Sequence, residues 1–194
     1  MQRDRRLNWR RTVLAMLAAA TWIALPLPAP AQVPGKTSAA ELNRSSQNAL
    51  QQLYAKVPAA KALGKEAHAV LVFPKVTKAG FGIGGQYGEG ALLKGGKAVA
   101  YYNTGGASYG LQAGAQTYGY AMFFMNEAAL KQLDKAEGFE VGVGPSVVVM
   151  DEGKAKTMTS TTMKDDIYAF IFGQKGLMAG LGVQGNKITR ITPK

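Results

Sequence analysis

The chain has 194 residues, with 24 glycines, no cysteine, one histidine and a formal net charge of +11. That length suits one domain with at most a small appendage. The lack of cysteine excludes a disulfide scaffold, a thiolate-ligated metal, an iron–sulfur cluster and thiol catalysis, and the single His68 makes no histidine-rich metal centre.

Residues 1–11 carry Arg3, Arg5, Arg6, Arg10 and Arg11 against one acid, Asp4, and Thr12 to Leu27 is uncharged and mostly apolar. Ala29-Pro30-Ala31 then places small residues where a signal peptidase needs them. The order reads as a secretory signal peptide over 1–31, cut near Ala31, and predicts a periplasmic or envelope-associated protein. The apolar stretch is short for a membrane span. Arg10-Arg11 leaves the general secretory and twin-arginine routes both open. Cleavage removes five of the 23 basic residues and one of the 12 acids, leaving +7, and sixteen of the eighteen remaining cations are lysine. Without cysteine there is no lipobox, so any membrane contact belongs to the folded surface.

Residues 32–37, with Pro34 and Gly35, read as a tether, and 38–194 as a single domain. Ala39, Leu42, Ala49, Leu50, Leu53, Tyr54 and Val57 recur at helical spacing, with Ser38 as cap and Glu41 three residues on. Pro58 opens a second short helix to about Ala67. Ala69 to Phe73 is a buried strand, ended by Pro74. Residues 80–119 hold thirteen glycines interleaved with aromatics. Over 107–123 the odd positions are apolar and the even ones polar or small, the period of a half-buried strand whose odd face points to the core. Asn126 to about Lys135 is a capped helix. Strand-like runs follow at 139–143, 146–150, 154–163, 167–172, 177–183 and 187–191, with turns at 151–153 and 185–186. The fold class is α+β: N-terminal helices, then a Gly-rich, mainly antiparallel sheet or partly closed barrel with one inserted helix.

Several motifs match without their mechanism. Gly80-Phe81-Gly82-Ile83-Gly84-Gly85 has dinucleotide-binding spacing, but no helix can start in the glycines that follow it. Gly106-Ala107-Ser108-Tyr109-Gly110 has the nucleophile-elbow pattern, yet the only histidine precedes Ser108 in the chain. Asp151-Glu152 and Asp165-Asp166 could act as acids or hold a hard cation, but both fall where turns place solvated carboxylates. A transmembrane β-barrel suits the length and glycine content and leaves the first two helices unexplained. No catalytic residue, metal or cofactor is predicted.

Lys56, Lys61, Lys65, Lys75 and Lys78 fall within 23 residues, opposed only by Glu66. Lys61, Lys65 and His68 share one face of the second helix, while Ala59, Leu63 and Ala67 lie on another. Such a helix can rest on an anionic membrane surface, or pack in the core with its lysines in water. Export, scarce arginine and the lack of a recognised motif speak against nucleic acid.

The run from Ala69 to Gly85, Ala-Val-Leu-Val-Phe-Pro-Lys-Val-Thr-Lys-Ala-Gly-Phe-Gly-Ile-Gly-Gly, resembles the opening of the SYLF lipid-binding domain. Gly110 to Gln116 is similar to that family's second glycine block, and Gly142-Val143-Gly144-Pro145 to its Gly-Pro turn. Ile167-Tyr168 with Gly176-Leu177-Met178-Ala179-Gly180 and Gly185 resembles its closing strands. The resemblance spans about residues 45–191. It implies a binding module, not an enzyme, that meets membranes through its N-terminal amphipathic region, here Pro58–His68 with Lys75 and Lys78. Anionic phospholipid is the implied partner, contacted by Lys56, Lys61, Lys65, Lys75 and Lys78. An envelope structural or protein-interaction module without lipid dependence is the alternative.

Overall fold

A computed structural model describes residues 37–150, 164–176 and 185–194. Helix α1 (Ala39–Lys56) starts where expected: the Ser38 hydroxyl accepts from the Glu41 backbone N–H at 3.2 Å. Glu41 in the first turn and Lys56 in the last both complement the helix dipole. Val57 is extended, and Pro58 opens α2 (Pro58–Glu66), where its missing N–H removes no helical bond. Leu42, Ala49, Leu50 and Leu53 of α1 and Ala60 and Leu63 of α2 are buried.

Two long strands dominate the sheet. Strand β1 (Ala69–Lys94) and strand β2 (Lys97–Phe124) form one antiparallel hairpin, paired from Ala69–Phe124 to Lys94–Lys97. The turn is Gly95-Gly96, with φ of 55° and 79°. Two successive positive φ angles match the right-handed twist of the strands they join, which glycine allows without strain.

Pro74 does not end the first strand. Phe73 pairs with Tyr120 and Val76 with Tyr118, so Pro74 and Lys75 stand together opposite Gly119 in a bulge. A bulge is where a sheet tolerates a residue with no N–H to donate. The extra residue also switches which parity of β1 faces each side. Leu71 and Phe73 belong to the same buried layer as Val76 and Leu92.

The hairpin curls back on itself. A Cβ at Gly90 would run into the Val72 carbonyl and the Phe73 ring, and one at Gly88 into the Lys75 carbonyl and Val76. The end of β1 therefore crosses its beginning with backbone against side chain. Helix α1 sits across this seam. The Ser46 hydroxyl donates to the Val72 carbonyl at 3.2 Å, and the Gln47 amide donates to the Gly96 carbonyl at 2.8 Å.

Asn126 caps α3 (Glu127–Leu130), its Oδ1 accepting from the Ala129 N–H at 2.8 Å. A 3-10 turn continues it over Lys131–Asp134. Among the described residues, strands β3 (Phe139–Glu140), β4 (Val147–Met150), β5 (Ile167–Gly176) and β6 (Lys187–Ile191) join β1 and β2 in a sheet of six strands in the order β3-β6-β2-β5-β4, with β1 also on β2. Among the described strands only β4 and β5 run parallel. The architecture is the expected one: N-terminal helices followed by a curled, mostly antiparallel half-barrel. The expected strands at 154–163 and 177–183 and the turn at 151–153 lie outside the described residues.

The sheet is buried on both faces where β1, β2 and β5 lie side by side. On the outer face Val70, Val72, Phe123 and Phe170 pack against Leu50, Leu53, Val57 and Leu63 of the helices. On the inner face Leu71, Phe73, Tyr120, Met122 and Phe124 pack with Leu133, Phe139 and Val141. Phe73 and Tyr120 stack at 5.8 Å, and Phe123 meets Phe170 edge-on at 5.4 Å. The expected division of β2 into a buried odd face and an exposed even face is thus corrected. Gln116, Tyr118 and Tyr120 are buried, whereas Ala107 and Ala115 are exposed. The curl turns the even positions inward, and the helices cover the odd face only near its 119–123 end.

The seam is open to a direct test. Gly90→Ala should cost about 3 kcal/mol through overpacking against fixed backbone. Gly96→Ala, which meets nothing within 4 Å, should cost about 1 kcal/mol for its positive φ alone. Urea midpoints of the two variants check the order.

Candidate functional site

The five lysines of the basic segment fall into three settings. Lys56, Lys61 and Lys65 are exposed on the helix pair. Tyr54 lies across Gly64, with its ring centroid 6.3 Å from that of Phe123, and burial pushes its phenol up to about 12. Ala60 and Leu63 are fully buried, and Ala59 and Ala67 pack against the same core. The apolar side of α2 is therefore already occupied by the protein. What α2 offers outward is charge.

Lys75 stands in the Pro74 bulge and is exposed. It lines a cleft of about 460 Å³ with Glu41, Leu42, Ser45, Pro74 and Tyr87. Leu42, which lines the same cleft, is fourteen residues before Lys56, so the cleft and Lys56 are about 20 Å apart along the axis of α1 at 1.5 Å per residue. Glu89 closes this cleft, accepting from the Thr37 N–H at 3.3 Å and from the Tyr87 hydroxyl at 2.8 Å. Burial, with Glu89 beside it, raises the Tyr87 phenol above its ordinary value.

Lys78 is placed differently from the other four. It lies on the inner side of β1, 5% exposed. Its setting is a group of buried polar residues that sequence pattern alone does not single out: Gln86, Thr104, Gln116 and Asn186. Tyr118 donates to Gln86 Oε1 at 2.6 Å, and the Gln86 amide donates to Asn186 Oδ1. This bond joins two stretches of the curled hairpin, since Tyr118 pairs with Val76, ten residues before Gln86. Burial pushes the Tyr118 phenol up to about 12 and raises Tyr120 as well, so both remain neutral. Thr104 Oγ1, Gln116 Oε1, the Tyr120 hydroxyl and Asn186 Nδ2 are buried with no partner among the described residues. The signal in the sequence is a run of Gln and Tyr at one parity, but parity alone reads as a solvent face.

The alternative chemical motifs have these places. Ser108 stands in mid-strand in β2, paired with Gly84. Asp166 is a structural junction: its carboxylate accepts from Asn126 Nδ2 at 2.7 Å and from the Ser146 N–H and hydroxyl at 3.2 and 3.3 Å. The Asn126 bond, then the Ser146 backbone bond, hold its pKa below the ordinary carboxylate value. Asp165 exchanges bonds with Tyr168, its N–H donating to the phenol at 3.0 Å. Asp151 and Glu152 lie outside the described residues. Among the described residues no three His, Asp or Glu side chains gather as a metal site, and no helix is long and apolar enough to cross a membrane.

A curled antiparallel half-barrel entered through two packed helices is the α+β architecture that the residue pattern predicts. The family model described as Ysc84, Las17-binding protein actin regulator, matches residues 105–192. This match supports assigning the chain to the SYLF family, whose domains are related to lipid and actin binding. The match begins after all five lysines. No curated protein matches the chain.

These contacts make two outcomes measurable. Tyr118→Phe leaves Gln86 Oε1 without its donor and should cost about 1–2 kcal/mol, whereas Tyr120→Phe, which removes an unpartnered hydroxyl, should be neutral or stabilising; urea unfolding separates them. Asp166 binds fewer protons folded than unfolded, so its contribution is present above the unfolded carboxylate pKa and lost as pH falls through its lowered folded value. Asp166→Ala should lower the melting temperature at pH 7, and the gap from wild type should narrow on acidification through that range.

Proposed function

We propose that the chain is an exported, non-enzymatic binding module that associates reversibly with anionic phospholipid surfaces through its basic helical region. The observation that carries this reading is the division of α2: Ala60 and Leu63 are buried in the core while Lys61 and Lys65, with Lys56 beside them, are exposed. A helix fixed in this way presents cations at constant orientation. Each lysine near an anionic leaflet contributes about 1 kcal/mol, falling off within a Debye length of about 8–10 Å. Three such residues give a partition that favours the surface by roughly a hundredfold at low salt and much less at high salt. The family's relation to lipid binding supports the same reading.

Periplasmic or envelope placement is part of the proposal and rests on the arginine-rich, then apolar, then Ala29-Pro30-Ala31 order of residues 1–31. In that compartment phosphatidylglycerol-type lipids supply the anionic partner. Lys75 belongs to the cleft beside Leu42, and Lys78, 5% exposed, is left out of the proposed contact surface.

Co-sedimentation of residues 32–194 with anionic and with neutral vesicles tests the proposal. Binding should be confined to the anionic vesicles and weaken steeply with salt. Lys61→Glu with Lys65→Glu should reduce it at least tenfold while shifting stability by no more than about 0.5 kcal/mol, both side chains being exposed. Absence of binding at low salt overturns the reading and leaves the lipid-independent interaction module.

A further inference from the structure

The most exposed large apolar side chains lie on the sheet and not on the helices. Phe81 is 88% and Ile83 68% exposed, both in the middle of β1. Their stretch is a sharp bend: a Cβ at Gly80 would collide with the backbone of Ile83 and Gly84. The bend is nonetheless built on paired backbone, with Phe81 opposite Ala113 and Ile83 opposite Tyr109. Two large apolar residues are thus held out at the apex of a lobe that, among the described residues, is built of β1 and β2 and that leaves the seam at residues 75–76 and returns to it at 88.

The register defines what surrounds them. Residues directly paired across antiparallel strands share a face. On one side of the apex the row is Thr77, Thr117, Lys175, and on the other it is Tyr87, Gly105, Lys187. Between these rows lie the exposed Ala79 and Ala115 and the exposed Gly85 and Ala107. The exposed face of the lobe is therefore a small apolar field with an exposed lysine at each foot, Lys175 and Lys187. Lys75, also exposed, stands beside the Thr77 row. Two acids stand at this foot of the lobe: Glu140 pairs with Lys187 on the next strand, and Glu89, two residues after Tyr87, accepts from the Tyr87 hydroxyl. No acidic residue occurs from 76 to 88, and none of any charge from 98 to 126.

We propose that the Phe81–Ile83 apex is a membrane-inserting tip, seated among the headgroups of an anionic leaflet, with Lys175 and Lys187 on the lipid phosphates at either side. The inference rests on the lipid-surface reading above and adds its apolar element. Charge complementarity selects the occupant: aromatic and aliphatic side chains flanked by lysine, with the nearest carboxylates, Glu89 and Glu140, at the foot of the lobe and not at its apex, match the boundary between headgroups and acyl chains. Side chains alone enter, so the backbone stays at headgroup level, where water still reaches its polar groups.

Residues 34–194 form a compact unit of their own, which contains both hydrophobic cores, so residues 32–194 serve as the test protein. The chain has no cysteine, and Ile83→Cys therefore accepts a single environment-sensitive fluorophore. On phosphatidylglycerol-containing vesicles its emission should shift to the blue and brighten about twofold or more, while the same probe on Glu127→Cys, an exposed position in α3, should not respond. Phe81→Ser with Ile83→Ser should retain most low-salt sedimentation but lose at least tenfold of the binding that survives about 0.5 M salt, where lysine attraction is screened. Sedimentation without a fluorescence shift, or a double variant that binds as wild type at high salt, overturns the tip and leaves the basic-helix reading standing. Absence of any sedimentation at low salt overturns both. A vesicle-independent dimer that the double substitution dissociates assigns the apex to a second copy of the chain and overturns the tip.

Discussion

The crossing of β1 over itself is the constraint on which the rest of the molecule depends. Gly88 and Gly90 lie against the backbone of residues 72–76 so closely that no side chain fits. A straight hairpin of this length would extend well over 80 Å and leave each face half covered. Brought back across its own start, it buries both faces near its base and gives α1 a seam to span. Ser46 and Gln47 bond the two sides of that seam, one at Val72 and the other at the Gly96 turn. Gly80, Gly88 and Gly90 are thus steric requirements of one crossing and one tight bend.

The curl has an energetic consequence inside. Near the base the inner face is filled by Leu71, Phe73, Tyr120 and Met122, but further along the lobe it carries Lys78, Gln86, Thr104 and Gln116. The Tyr118–Gln86–Asn186 chain pins the two walls together. Several neighbours of that chain lack partners among the described residues, so the network stabilises less than its size suggests, because each unmet buried group offsets roughly what a made bond contributes. A partly satisfied network of this kind specifies geometry more than it adds stability.

Local signals are legible where local chemistry decides. Ser38 and Asn126 cap their helices, Pro58 begins α2, and Ala69 starts a strand, because each depends on residues only a few positions away. Pro74 and the parity of β2 mislead for one shared reason. Both readings assume a flat strand with one core face, and a bulge at residues 74–75 together with the curl breaks that assumption. The cationic helix pair is legible as a face, but its separation from Lys75 and Lys78 is not. Five residues close in sequence are distributed over two helices, a bulge and an interior, and only tertiary structure distinguishes them.

That separation alters the physical character of any surface contact. An amphipathic helix free to insert would supply apolar area itself, but α2 has committed that area to Phe123, Phe170 and the rest of the outer core. Its lysines can then contribute only attraction that salt screens, which draws a protein to a surface without holding it there. Retention at physiological ionic strength needs apolar burial from elsewhere. On the described surface, large side chains combine high exposure, an uncharged stretch of their own strand and flanking lysines at Phe81 and Ile83. The same curl that withdraws the apolar face of α2 from solvent also bends β1 sharply at Gly80, which is what holds those two residues out. Burial at the seam and exposure at the apex are in this sense one structural feature, produced by a single hairpin too long to remain straight.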